Sequence, residues 1–189
     1  MASLFWNDVK AEPKRRYRFE LSFTSKNGNS EGDIPVWTIK TANKPKANVS
    51  TISHTYVDHE FKYPGRVTWD PISVTLVDPV HPDLSYSFLD ILGMAGYKYP
   101  NTPTRAKQSI SKNAFKDAVG SIKIKQLGPS GEEIEVWELV NPFITSVDFG
   151  GALDYTSDDL NEITVEITFD WAKLLKHGGG KTNPTAAAR

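Results

Sequence analysis

The sequence predicts a mainly β fold with one amphipathic helix. Apolar and polar residues alternate with a period of two along most of the chain, Gly, Pro, Asn and Ser clusters separate the alternating runs, and a single stretch switches to helical spacing. At 189 residues with 39% hydrophobic side chains, the chain is long enough to bury a sizeable core yet suits strands with one wet face.

The first run sets Tyr17, Phe19, Leu21 and Phe23 against Arg16, Arg18, Glu20 and Ser22, and Lys26-Asn27-Gly28-Asn29-Ser30 closes it with turn chemistry. Two further runs cover about 34–42 and 49–63. From Arg66 to Asp78 the apolar positions change parity, Val67 and Trp69 before Pro71 and Ile72, Val74 and Leu76 after it; a bulge or kink at Asp70-Pro71 would return all five to one face. Leu84, Phe88, Ile91, Leu92 and Ala95 then form one helical stripe, with Gly96 placed to end it. A shorter polar helix is weighed over Ser109–Ala118. Strands are expected at about 119–127 and 134–140 around the turn Gly128-Pro129-Ser130-Gly131, then from Phe143 to Phe149. The clearest alternation comes last: Ile163, Val165, Ile167, Phe169 and Trp171 face one way, Thr164, Glu166, Thr168 and Asp170 the other. Residues from Gly178 onward read as a mobile tail.

Composition narrows the function. No apolar run approaches the roughly 20 residues that span a bilayer, and the N-terminus has no export-signal pattern. With no cysteine there is no disulfide frame, thiolate nucleophile or Cys-ligated zinc. The net charge of −1, from 22 basic and 23 acidic residues, supplies no global field for nucleic acid. The charges are segregated, however. Lys14, Arg15, Arg16 and Arg18 and the segment from Lys173 onward are basic, whereas Glu132, Glu133, Glu135 and Glu138 and then Asp158, Asp159, Glu162, Glu166 and Asp170 are acidic.

Catalytic patterns fail on spacing. Gly178-Gly179-Gly180-Lys181-Thr182 ends like a phosphate-binding loop but has Leu175 where its first Gly belongs and no helix to follow. On one extended strand His54 and Asp58 would share a face that His59 does not, which disfavours a metal site. Asp158-Asp159 sits in turn-like sequence rather than an apolar pocket, and no Gly-x-Ser-x-Gly elbow occurs. The aromatics, 11% of the chain, raise a binding platform as another possibility; Trp37, Trp69 and Trp171 fit core faces, leaving Trp6 and Trp137 for interfaces.

Two blocks carry a resemblance. The first runs from Trp37-Thr38-Ile39-Lys40-Thr41-Ala42 through Tyr56-Val57 and Phe61-Lys62-Tyr63 to Arg66–Asp78 and the helix after it. The second comprises Asn141–Gly150, Leu153-Asp154-Tyr155 and Asn161–Trp171. In order and spacing they resemble the tail tube proteins of contractile-tailed, T4-like bacteriophages, within the wider family of phage tail and secretion-system tubes.

The resemblance implies two packed antiparallel sheets, sandwich or barrel-like, with a flanking helix. It implies a ring-forming, hexameric, non-enzymatic subunit without cofactor, stacked into a tube that passes DNA. Partners would be further copies of the chain, a tail sheath, baseplate and terminator proteins and a tape-measure protein in the lumen; the location would be a virion tail assembled in the host cytoplasm. Residues 15–175 would form the tube domain between an arm, 1–14, and a flexible tail, 176–189. Tyr56, His59, Phe61 and Tyr63, in the segment Lys44–Gly65, are the expected inter-ring contacts. Glu133, Glu135, Glu166 and Asp170 are the expected lumen acids, and Lys14, Arg15, Arg16, Lys173 and Lys176 would face the sheath. An effector-carrying injection-system tube, a baseplate initiator and, in a different class, a monomeric binding module are the alternatives.

Overall fold

The computed structural model describes residues 13–24, 34–177 and 181–182; the expected turn at 26–30, Trp6, and most of the 1–14 arm and 176–189 tail lie outside them. Strands follow the alternation: β1 (Phe19–Thr24), β2 (Ile39–Ala42), β3 (Ala47–Tyr56), β4 (His59–Trp69), β5 (Ile72–Val77), β6 (Ser121–Leu127), β7 (Glu133–Val140), β8 (Phe143–Asp148), β9 (Glu162–Thr168), β10 (Trp171–His177) and β11 (Lys181–Thr182). Helix α1 covers Leu84–Met94 and α2 covers Lys112–Val119.

Two antiparallel sheets face each other, one ordered β1-β6-β7-β10-β11 and the other β2-β5-β9-β8. Their inward parities merge in one core: Leu21, Ile122, Ile124 and Leu139 from the first, Ile72, Val74, Leu76, Ile163, Val165 and Ile167 from the second. Helix α1 adds Leu84, Phe88, Ile91 and Ala95, and α2 adds Phe115, Ala118 and Val119. Asp83 caps α1 by accepting from the Tyr86 amide at 3.0 Å, and Ser111 caps α2 by accepting from Ala114 at 3.2 Å. Gly96 follows α1 at φ +111, where an added Cβ would lie 2.7 Å from the Ser109 carbonyl oxygen, so the predicted stop is a steric requirement.

Two expected continuous strands are broken at aspartates. Val67 and Trp69 belong to β4, but after Asp70-Pro71 the chain enters a different sheet as β5, so the five apolar residues do not share a face and Val67 is exposed. Asp70 fixes this corner by accepting from Asn48 at 2.5 Å and Lys46 at 3.0 Å. Likewise β9 ends before Asp170 and β10 starts after it in the other sheet; Trp171 therefore leaves the Ile163–Phe169 face and is half exposed. Trp37, expected in the core, lies exposed in a 3₁₀ turn, and Tyr17 precedes β1 with its ring in solvent.

Among the described residues, strands β3 and β4 pair only with each other. They form a ribbon that bends back at Val57-Asp58, with Val57 in the left-handed region at φ 55.

Candidate assembly surfaces

The ribbon is amphipathic by register. Ile52 lies opposite Tyr63, His54 opposite Phe61 and Tyr56 opposite His59, so these six side chains share one face. Thr51 with Pro64, Ser53 with Lys62 and Thr55 with Glu60 occupy the other. All six residues of the first face are exposed. The four expected contact residues, Tyr56, His59, Phe61 and Tyr63, thus come together on it. The turn also revises the strand geometry assumed for a metal site: His54 and His59 share a face, with Asp58 in the bend. Among the described residues no group of three or more His, Asp or Glu is placed to hold a metal ion.

The outward face of the four-stranded sheet is different in kind. Thr41 pairs with Thr75, Thr75 with Thr164 and Thr164 with Asp148 in one cross-strand row; Ser73, Glu166 and Ser146 form the next. Thr145 and Thr168 join their hydroxyls at 3.4 Å beside Glu166. Small hydroxyl side chains with scattered carboxylates therefore pave this face. Thr164 and Thr168 are legible in sequence as the polar parity beside Glu166, whereas Thr41, Ser73, Thr75 and Ser146 carry no motif; the signal for Ser73 and Thr75 is the parity opposite Ile72, Val74 and Leu76.

The five-stranded sheet presents mixed charge outward. Lys123, Glu138 and Lys173 lie in one row, and Lys125 donates to Glu20 and Glu133, each at 3.1 Å; these bonds hold the Lys125 ammonium above its ordinary pKa. Glu133 and Lys176 line the same shallow groove on this side. The expectation places them on opposite surfaces, the lumen and the sheath side.

Glu135 departs further from expectation. It is 7% exposed, on the inward parity of β7, with Gln126 opposite it. Its carboxylate accepts from Lys14, from Lys44 at 2.8 Å and from the Trp137 indole at 2.5 Å. Burial pushes its pKa upward, but the three donors outweigh this and hold it at about 2, against 4.5 ordinarily. Gln126 donates to the Arg15 and Arg18 carbonyls at 2.6 Å each, so this polar pair ties the segment before β1 to the sheet. An expected lumen acid and an expected sheath-facing lysine, Glu135 and Lys14, thus bind each other. Asp170 is also engaged, accepting from Lys112 with both oxygens at 2.8 Å and from Asn141 at 2.7 Å; those bonds lower its pKa and staple the β9–β10 corner. Of the four acids, Glu166 alone stands exposed on the hydroxyl-rich face.

No protein-family model matches the sequence, and no curated protein matches it. Solved structures match the fold. A chain of the 6-fold symmetrised cryo-EM structure of the anti-feeding prophage baseplate superposes with a TM-score of 0.64 at 14% identity, over 87% of this chain and 97% of that one. A chain of the PVC sheath-tube complex, from an extracellular contractile injection system in the extended state, gives 0.60 at 19%, over 88% and 94%. A chain of the SPP1 tail tube gives 0.54 at 10%, over 92% and 84%. The chain therefore shares its overall fold with these chains of phage tail and injection-system assemblies.

Proposed function

We propose that the protein is the structural subunit of a tube, forming stacked rings of about six copies through heterologous contacts. The observation that carries the reading is the hydroxyl-rich face of the β2-β5-β9-β8 sheet. A wall of short hydroxyls with Glu166 and Asp148, whose edge Lys40 is neutralised by Glu162, offers a polyanion few anchors, so cargo slides instead of binding. With that face toward the lumen, the opposite sheet, including Lys173, Lys176 and Glu133, faces outward toward a sheath. The aromatic ribbon face, with Tyr56, His59, Phe61 and Tyr63, then reaches the next ring.

Residues 15–175 act as the tube domain, with the arm and tail as additions. Baseplate, terminator and tape-measure proteins are the further partners of this assembly, and a tail is its place. DNA is the cargo in a phage tail. The higher similarity to injection-system chains than to the SPP1 tail tube favours an effector-carrying tube as the second reading.

The test is negative-stain electron microscopy with sedimentation over a concentration series. Hollow assemblies of uniform width are expected, and Tyr56→Asp or Phe61→Asp should abolish long ones. Glu166→Lys tubes should retain DNA that wild-type tubes release. A monomer at every concentration would overturn the reading in favour of a monomeric module that binds through the same aromatics.

A further inference from the structure

Two features of opposite charge remain outside these surfaces. A groove of about 880 Å³ runs between the segment before β1, the β2 edge and the end of β6, bordered by Lys14, Arg15, Arg16, Lys40, Lys44 and Lys125. Four of its cations are answered by carboxylates: Lys14 and Lys44 by Glu135, Lys40 by Glu162, and Lys125 by Glu20 and Glu133. Arg15 and Arg16 are exposed and make no side-chain ion pair among the described residues, so they are the groove's uncompensated charge. Phe19 and Ala42 contribute apolar lining.

The second feature is the connection between β8 and β9. Asp154 accepts from the amide and hydroxyl of Thr156 at 2.9 Å each, and Ser157 donates to Asp159 at 2.8 Å, so the loop is shaped by its own side chains. Around these acids Leu153 is 92%, Leu160 70% and Tyr155 110% exposed; the chain that carries them covers none of the three. An acidic segment with bare apolar anchors has the chemistry that a basic groove with apolar lining recognises.

We propose that the groove around Arg15 and Arg16 receives the acidic loop 153–160 of a second copy. The occupant is this chain itself because one molecule carries both halves of the complementary pair, on different elements. When the groove engages one neighbour and the loop another, the contact is heterologous and repeats from copy to copy, which is the connectivity a ring or tube requires. The inference deepens the tube reading and rests on it. It reassigns Arg15 and Arg16 from a sheath contact to a contact between subunits.

The experiment uses two charge reversals, Arg15→Glu with Arg16→Glu in the groove and Asp158→Lys with Asp159→Lys in the loop, followed by sedimentation and electron microscopy. Each variant alone should need at least about tenfold more protein to assemble. A 1:1 mixture should assemble within about twofold of wild type, because each reversed patch then finds its complement on the other variant. A contact made within one chain would not be rescued by mixing. As a fold-independent check, the chain has no cysteine of its own, so Arg16→Cys and Tyr155→Cys copies mixed with a short bismaleimide should give a covalent dimer that neither forms alone. Wild-type assembly by both reversal variants, or no rescue and no cross-link from folded variants, would overturn the contact and leave the tube reading standing. A wild-type protein that never assembles would overturn both.

Discussion

Replacing Glu135 by Gln removes the charge that Lys14 and Lys44 share while keeping an acceptor for Trp137. The interval between a pKa of about 2 and the ordinary 4.5 corresponds to about 3 kcal/mol of stabilisation. Lys14 and Lys44 are each 45% exposed, so solvent screens part of that, and about 1 to 2 kcal/mol is the expected loss at neutral pH. The folded-state pKa is depressed, so the stabilisation is complete above pH 4.5 and is lost as pH falls through about 2. With a urea slope of about 2 kcal/mol per molar, the variant's midpoint at pH 7 should lie about 0.5 to 1 M below wild type. At pH 3 the gap should shrink to about half. Urea titrations at both pH values, at a concentration where sedimentation shows monomer, measure it. A gap that is the same at both pH values, or widens in acid, would refute the assignment of Glu135 as a charged tether.

Phe88→Ala should cost about 3 to 5 kcal/mol in the same titration, since the ring is fully buried in the hydrophobic core that α1 shares with the strands. Asp83→Ala, which removes the α1 cap, should cost about 1 kcal/mol, and Asp83→Asn much less; similar losses from both would point to a role other than capping. Gly96→Ala should lower the thermal midpoint through a positive φ and a 2.7 Å clash, and an unchanged midpoint would show that the α1 stop has relaxed.

Alternation revealed the in-facing residues of β5, β6 and β9 and the stripe of α1, because burial on one side leaves a period in the sequence. It did not reveal where a strand changes sheet. Ile163 to Trp171 keeps its phase across Asp170, and the corner is marked by the Lys112 and Asn141 bonds to that carboxylate and by the Asp170 amide donating to the Val140 carbonyl at 3.0 Å. Charge was equally ambiguous. Glu133 and Glu135 read alike as acids in one run, yet one sits beside Lys125 at the surface and the other on the buried parity of Trp137 and Leu139. Both share the parity of Trp137 and Leu139, so parity alone did not separate them; the β6–β7 register shift between Gln126 and Leu127 carries Glu133 to the surface, and nothing in the sequence marks that shift. The ribbon was legible as surplus aromatics in 44–65, but its one-sidedness depends on the turn at Val57-Asp58, which no local signal announces.

The exposed ribbon gives the strongest physical ground for reading the chain as part of an assembly. A two-stranded ribbon gains little stability alone in water, and Ile52, Tyr56, Phe61 and Tyr63 on one of its faces would make a free monomer prone to unselective association. Packing of the ribbon's base against the body, through Trp69 and Phe169, does not resolve this, since Ile52, Tyr56, Phe61 and Tyr63 stay exposed. Burial by another molecule does, and it converts the cost of exposure into a driving force released only on assembly. Core and ribbon aromatics should therefore separate cleanly. Phe88 should contribute to the stability of one copy, whereas Phe61, half-exposed on the ribbon, should contribute to the affinity between copies.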